Sequence, residues 1–158
     1  MAEEKKKRIA IIASKGTLDM AYPPLILATT ALSMDMEAGI FFTLYGINIL
    51  RKDKQESLKV APLANPAMPV PVPNIMGVIP GMTAMATSMM KGWIKKINWP
   101  TIPELLEMCV EEGARLIACS PTMEMLDLKK EDLIDGVEIA GAADFLEFAS
   151  EADITLFI

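Results

Sequence analysis

Apolar residues in this chain form short unbroken runs, separated by stretches where they recur every three or four positions. The first run is Arg8-Ile-Ala-Ile-Ile-Ala13, closed by Ser14-Lys15-Gly16. A run of this length, apolar on both parities, fits a strand buried on both faces of a parallel sheet. Further strands are predicted over 39–44, 115–118, 137–140 and 154–157. Helical spacing predicts a helix over about 19–36, with Thr17 or Asp19 as N-cap and Pro23 and Pro24 in its first turn. A short helix should follow Tyr45-Gly46 and end near Arg51-Lys52. Longer helices are expected over 81–96, 102–112 and 141–150, and a short one from Asp127 to Asp132. Thr101-Ile-Pro-Glu104 reads as a capping box opening the 102–112 helix, and Gly113 as its stop. Strands alternating with helices predict an α/β domain. Its sheet should have about five mostly parallel strands, with helices on both faces.

Residues 57–80 break the pattern. Pro62, Pro66, Pro69, Pro71, Pro73 and Pro80 keep them from regular structure, which predicts a long loop. The 158 residues suit one domain spanning 1–158, with a Pro/Met-rich insert at about 57–97.

Charge is unevenly placed. Residues 1–60 carry nine basic and seven acidic side chains, residues 61–100 three basic and none acidic, and residues 101–158 three basic and fourteen acidic. The net charge of −6 argues against a nucleic-acid partner, which needs a basic face. Lys5-Lys6-Lys7-Arg8 reads as a solvated lead-in to the first strand. The apolar run after it is too short for a signal peptide, so the expected compartment is the cytoplasm. Two cysteines make no disulfide framework.

The chain has no histidine. That excludes Ser-His-Asp and Cys-His hydrolases in their usual form, and histidine-based zinc, haem or copper sites. No cofactor and no metal site are expected. Cys119 closes the run 114–118 and precedes Ser120-Pro121, where a helix could open. A helix start there would favour the thiolate through its dipole and free N–H groups. The alternative is a buried cysteine acting as a small hydrophobe. Cys109 lies at i+4 from Leu105 on the core-facing side of its helix. Helix rise, strand rise and layer spacing place it beyond disulfide reach of Cys119.

Parallel sheets collect ligands at the carboxyl ends of their strands. Three segments should meet there: Ser14-Lys15-Gly16, Tyr45-Gly46 and Cys119-Ser120-Pro121-Thr122. Cys119 is the candidate reactive residue. Ser14, Lys15, Gly16, Tyr45, Gly46, Ser120 and Thr122 are candidates for lining its site. Six of the thirteen methionines fall in residues 68–90. Core or oligomer packing, partner docking, membrane contact and copper binding are open readings of that stretch, in that order.

Arg8-Ile-Ala-Ile-Ile-Ala-Ser-Lys-Gly, Met36-Glu-Ala-Gly-Ile-Phe-Phe-Thr-Leu-Tyr-Gly, Ile102-Pro-Glu-Leu-Leu, Leu116-Ile-Ala-Cys119, Glu131-Asp-Leu-Ile-Asp-Gly-Val-Glu and Asp153-Ile-Thr-Leu-Phe-Ile resemble the DsrE/DsrF-like family. The closest likeness is to its DsrE-related branch, often labelled peroxiredoxin-like, which carries a long insert. The resemblance implies a three-layer α/β/α fold, usually homo-oligomeric. It also implies a sulfur-relay role, in which a cysteine persulfide at the position of Cys119 exchanges sulfur with rhodanese-like and TusA-like proteins. Here Ser120-Pro-Thr-Met123 replaces the Gln-Met-Ser-Met found after the cysteine in many relatives. The expected function is therefore a sulfur carrier or sulfurtransferase using Cys119. The alternative is a non-enzymatic binding or scaffold protein. Its Met-rich insert would dock a partner or a membrane complex, with peripheral membrane contact through residues 75–96.

Overall fold

The computed structural model describes residues 5–61, 75 and 78–158. Five strands, β1 (Arg8–Ala13), β2 (Glu37–Phe42), β3 (Arg115–Cys119), β4 (Val137–Ala140) and β5 (Ile154–Phe157), form one sheet in the order β4-β3-β2-β1-β5. Every pairing is parallel. All five carboxyl ends, and the loops that leave them, therefore share one edge.

The helices are α1 (Leu18–Ser33), α2 (Met82–Lys96), α3 (Ile102–Glu111), α4 (Ser120–Met125) and α5 (Ala142–Ser150). Leu44–Leu50 and Lys130–Asp132 are 3-10 turns. One face of the sheet carries the larger core. There Ile11, Ile40, Phe42 and Leu116 pack with Leu25 of α1 and Leu106 of α3, all fully buried. Each such side chain contributes roughly 1.5–3 kcal/mol by leaving water. The opposite face carries a smaller cluster of Ala10, Phe41, Ile117 and Cys119, covered by Phe145 of α5. The two faces follow from strand alternation, since odd and even positions of β3 point to opposite layers.

Local sequence explains the boundaries. Thr101 Oγ1 accepts from Glu104 N, and the Glu104 carboxylate accepts from Thr101 N at 2.7 Å, which is the expected capping box. Those hydrogen bonds hold the Glu104 carboxyl below its ordinary pKa. Gly113 takes a positive φ of 83° to end α3. The N-cap of α1 is Thr17, but its buried hydroxyl has no partner among the described residues. Leu18 N donates instead to Lys59 O at 2.9 Å.

Three expectations need correction. Pro23 and Pro24 lie beyond the first turn of α1, so the carbonyls of Asp19 and Met20 lose their i+4 donors. Pro24 is compensated by burial in the core. Asp127 opens no helix; it sits at a φ of 50° just past α4. The strand expected over 115–118 runs one residue further, to Cys119, while the helix start considered at Ser120-Pro121 is present. Most of the expected 57–80 loop, with Met68 and Met76, lies outside the described residues.

Candidate functional site

Cys119 sits where β3 hands over to α4. It is the last residue of the strand and the N-cap of the helix, with extended backbone at φ −63° and ψ 115°. Pro121 lies in the first turn, where its missing N–H is harmless. The first-turn donors are the amides of Ser120 and Thr122, and α4 has no carbonyl in position to accept from them. The residue is 8% exposed. It belongs to a small apolar cluster with Ala10, Phe41, Ile117 and Phe145 of α5. Phe145 stacks on Phe41 with centroids 5.1 Å apart. Phe145 is the residue that sequence reasoning missed. Its spacing from Phe148 marks the buried side of α5, but nothing in the sequence says which strand it covers.

Cys109 lies on the other side of the sheet, fully buried in the larger core. Burial, with a smaller contribution from Glu112, pushes its thiol up to about 12. Both cysteines are free. The sheet between them agrees with the prediction that they form no bond within one subunit.

The remaining candidates divide into two groups. Ser14 ties down the end of the described chain: its N and Oγ both donate to Ile158 O, at 2.8 and 3.0 Å. Gly16 and Gly46 let the first two loops interlock. A Cβ on Gly16 would lie 2.1 Å from Tyr45 O, and one on Gly46 the same distance from Ala13 O. Lys15, Gly16 and Tyr45 line a 450 Å³ depression with Asp19 and Asn48, at the α1 end of the edge. Cys119 is not part of that depression. Two strand spacings of about 4.8 Å separate the ends of β1 and β3. Ser120 lies on the β4 side, where its Oγ approaches Gly141. Thr122 is buried and its Oγ1 accepts from Leu44 N at 3.1 Å. That bond, with Thr43 Oγ1 at 3.4 Å, clamps α4 to the turn after β2. Around Cys119 the structure therefore gathers Ser120 and the Thr122 backbone, while Lys15 and Tyr45 stand apart. Among the described residues, no group of three His, Cys, Asp or Glu side chains is placed to hold a metal ion.

A model of the DsrE/DsrF/DrsH-like family matches residues 5–157. The chain belongs to that family. Among its relatives, the sulfur carrier protein DsrE2 of Allochromatium vinosum is 47% identical over 98% of this chain and 99% of its own. The uncharacterized protein YrkE of Bacillus subtilis is 34% identical over the same shares. The family fold is also visible at low identity. The ychN protein of E. coli superposes with a TM-score of 0.60 at 13% identity, covering 96% of this chain and 99% of that one.

Proposed function

We propose that this family member is a sulfur carrier that holds sulfane sulfur as a persulfide on Cys119. The observation that carries the reading is end-to-end similarity, at 47% identity, to a protein named a sulfur carrier. The position of Cys119 supports it: this is the one cysteine at the carboxyl edge of the sheet, where a helix begins.

The chemistry needs no histidine. The Cys119 thiolate attacks the outer sulfur of a donor persulfide, R–S–SH. The donor S–S bond breaks, R–S⁻ leaves with the electron pair, and a new S–S bond forms on Cys119. With a thiosulfonate donor, the outer sulfur is attacked in the same way and a sulfinate leaves. Transfer onward repeats the step: an acceptor thiolate takes the outer sulfur and Cys119 leaves as thiolate. No net oxidation occurs in either exchange. Ser120 and Thr122 N–H groups stabilise the negative sulfur, and Phe145 keeps it from bulk water. The nearest second thiol in the chain is walled off by the sheet, so donor and acceptor are other proteins, of the rhodanese-like and TusA-like kinds. Lys15 and Tyr45 act as part of the docking rim rather than at the sulfur. The carrier works in the cytoplasm, as a homo-oligomer.

The test is intact-mass measurement after incubating reduced protein with a persulfide donor or thiosulfate. Addition of one or more sulfur atoms is expected, located on Cys119 and absent from Cys119→Ser. No addition from any sulfane donor, with Cys119 also inert to alkylation in the folded state, sinks the reading.

A further inference from the structure

Strand β5 closes one side of the sheet, and its outer edge has no partner among the described residues. Alternation fixes which of its backbone groups point outward. Ile158 N donates to Ile12 O and Ile158 O accepts from Ser14 N, both at 2.8 Å, so residue 158 faces β1. Counting back by twos, Leu156 and Ile154 also bond to β1, and the N–H and C=O of Thr155 and Phe157 face out. Nothing in the strand blunts that edge. Edge strands are usually protected by charge, proline or a bulge, and Ile154-Thr-Leu-Phe157 has neither charge nor proline. The opposite edge, β4, carries Glu138, paired with Arg115 at 2.7 Å. Phe157 is 73% exposed on the α5 side of the sheet, and Ile154 is exposed on the other. The segments that border undescribed residues lie elsewhere. Ala61 N bonds to Asp19 of α1 at 3.2 Å on the larger-core layer, and Lys5 Nζ bonds to Glu151 at 3.2 Å at the amino end of the sheet.

We infer that the β5 edge pairs with the same edge of a second copy of this chain, antiparallel about a two-fold axis at Leu156. The outward groups complement themselves in that register. Thr155 of one copy opposes Phe157 of the other, and each such pair exchanges both N–H···O bonds. Sliding the strands so that Thr155 meets Thr155 sets Phe157 against Asp153, whose N–H already donates to Arg8 O at 2.9 Å. The chosen register also opposes apolar side chains, Leu156 to Leu156 and Ile154 to Ile158. Charge selects the same occupant. Each copy carries −6, so two copies repel over most of their surface. This edge is an exception. The 550 Å³ groove between β5 and α5 is lined by Ile12, Phe145, Leu146 and Phe157, among others, and by no charged side chain. Asp144, Glu147 and Glu151 fall on the other side of α5 from Leu146 and Ser150. Two identical patches can therefore meet without bringing like charges together, which is what an isologous interface requires. Phe157 of each copy comes to lie beside Thr155 of the other, at the mouth of the groove. The sheet then runs unbroken through both copies. This gives the homo-oligomer of the carrier reading a surface, and it rests on the strand edge rather than on sulfur chemistry.

Sedimentation equilibrium of the full chain tests the inference. The 17.2 kDa chain should form an assembly of even subunit number, and its mass should halve in Phe157→Glu and in Thr155→Lys. Both side chains are exposed, so circular dichroism should not change. Each substitution should weaken self-association at least about tenfold, since it puts a charge on the paired edge. Cross-linking tests the register. Leu156→Cys in a Cys119→Ser background should form a disulfide between copies under mild oxidation, because facing Cα atoms of a non-hydrogen-bonded pair stand about 4.5 Å apart. Ile154→Cys should not, because its counterpart in the second copy lies about 13 Å along the strand. Cys119→Ser should pair like the wild type, and Phe157→Glu should still take up sulfur. Failure here is therefore distinct from failure of the carrier reading. A wild type that stays monomeric at its highest soluble concentration overturns the inference. So does an assembly unchanged by both Phe157→Glu and Thr155→Lys, or one cross-linked by Ile154→Cys and not by Leu156→Cys.

Discussion

Replacing Phe145 with alanine tests whether one ring controls access to the thiol. The ring is 4% exposed, stacks on Phe41 and covers the cluster that contains Cys119. Phe→Ala in a core typically costs about 3–5 kcal/mol. The lower end applies here, because Phe145 also borders a 550 Å³ apolar groove with Ile12, Leu146 and Phe157 that is open to water. The space left behind can hydrate instead of standing empty. A loss of about 3 kcal/mol in a chain of this size lowers the melting temperature by about 6–12 °C. The same contacts break when α5 lifts to expose the thiol. Their removal should raise the open population, and with it the alkylation rate, between about tenfold and a hundredfold. The assay is iodoacetamide labelling of reduced protein at pH 8, with each cysteine followed by peptide mass. Cys109 is the internal control: with its thiol near 12, only about one molecule in 10⁴ is thiolate at that pH. An unchanged Cys119 rate in a destabilised variant refutes the idea that Phe145 is the cover. Parallel acceleration of both cysteines shows that global unfolding, and not movement of α5, is the route.

Two further outcomes follow from the geometry. Cys109 has its pKa raised on folding from 9.0 to about 12, so the folded state holds its proton more tightly than the unfolded chain. Stability from this group is complete below about pH 9 and is lost as pH rises toward 12, by up to about 4 kcal/mol. Urea titrations from pH 8 to 11 should show wild type losing stability more steeply than Cys109→Ala; equal slopes would remove the burial argument. Gly46→Ala places a Cβ 2.1 Å from the Ala13 carbonyl, a backbone atom that cannot swing aside. Thermal melts should show at least about 2 kcal/mol of destabilisation, and a variant as stable as wild type would mean that the two loops are not interlocked.

The three central strands were legible because burial on both faces demands apolar runs, while the edge strands β4 and β5, largely exposed and interrupted by Glu138 and Thr155, were marked by short apolar segments in the strand–helix alternation. Caps were legible where side chains do the capping, as at Thr101 and Glu104. Helix α4 was marked only by Ser-Pro, since six residues hold too little periodicity to register. The position of Asp127 was misread because a capping residue type and a left-handed residue type overlap in aspartate. The candidate site was half legible. Topology alone brings residues 14–16, 45–46 and 119–122 to one edge. It does not say on which side of the sheet each loop opens. In β3, Ile117 and Ala118 are both apolar, so the pattern cannot tell which layer receives Cys119. That depends on α5, which crosses the whole sheet from β4 to β5.

Helix α5 is fastened unequally along its length. At its carboxyl half, Phe148 fits over Gly39, where a Cβ would lie 2.4 Å from the ring. Arg8 stacks on the same ring at 4.5 Å and donates to Phe148 O, while pairing with Glu37 and Glu151. At its amino half, Phe145 is the only buried side chain, helped by Asp144 accepting from Gly141 N at 3.0 Å. The helix is pinned at the end remote from Cys119 and lightly seated at the end above it. Lifting α5 from its Cys119 end would pivot it at Phe148. Uncovering the sulfur breaks one aromatic seat and one cap, and leaves the sheet and the Arg8 clamp in place. Exposing the thiol therefore costs only part of the energy that keeps the protein folded.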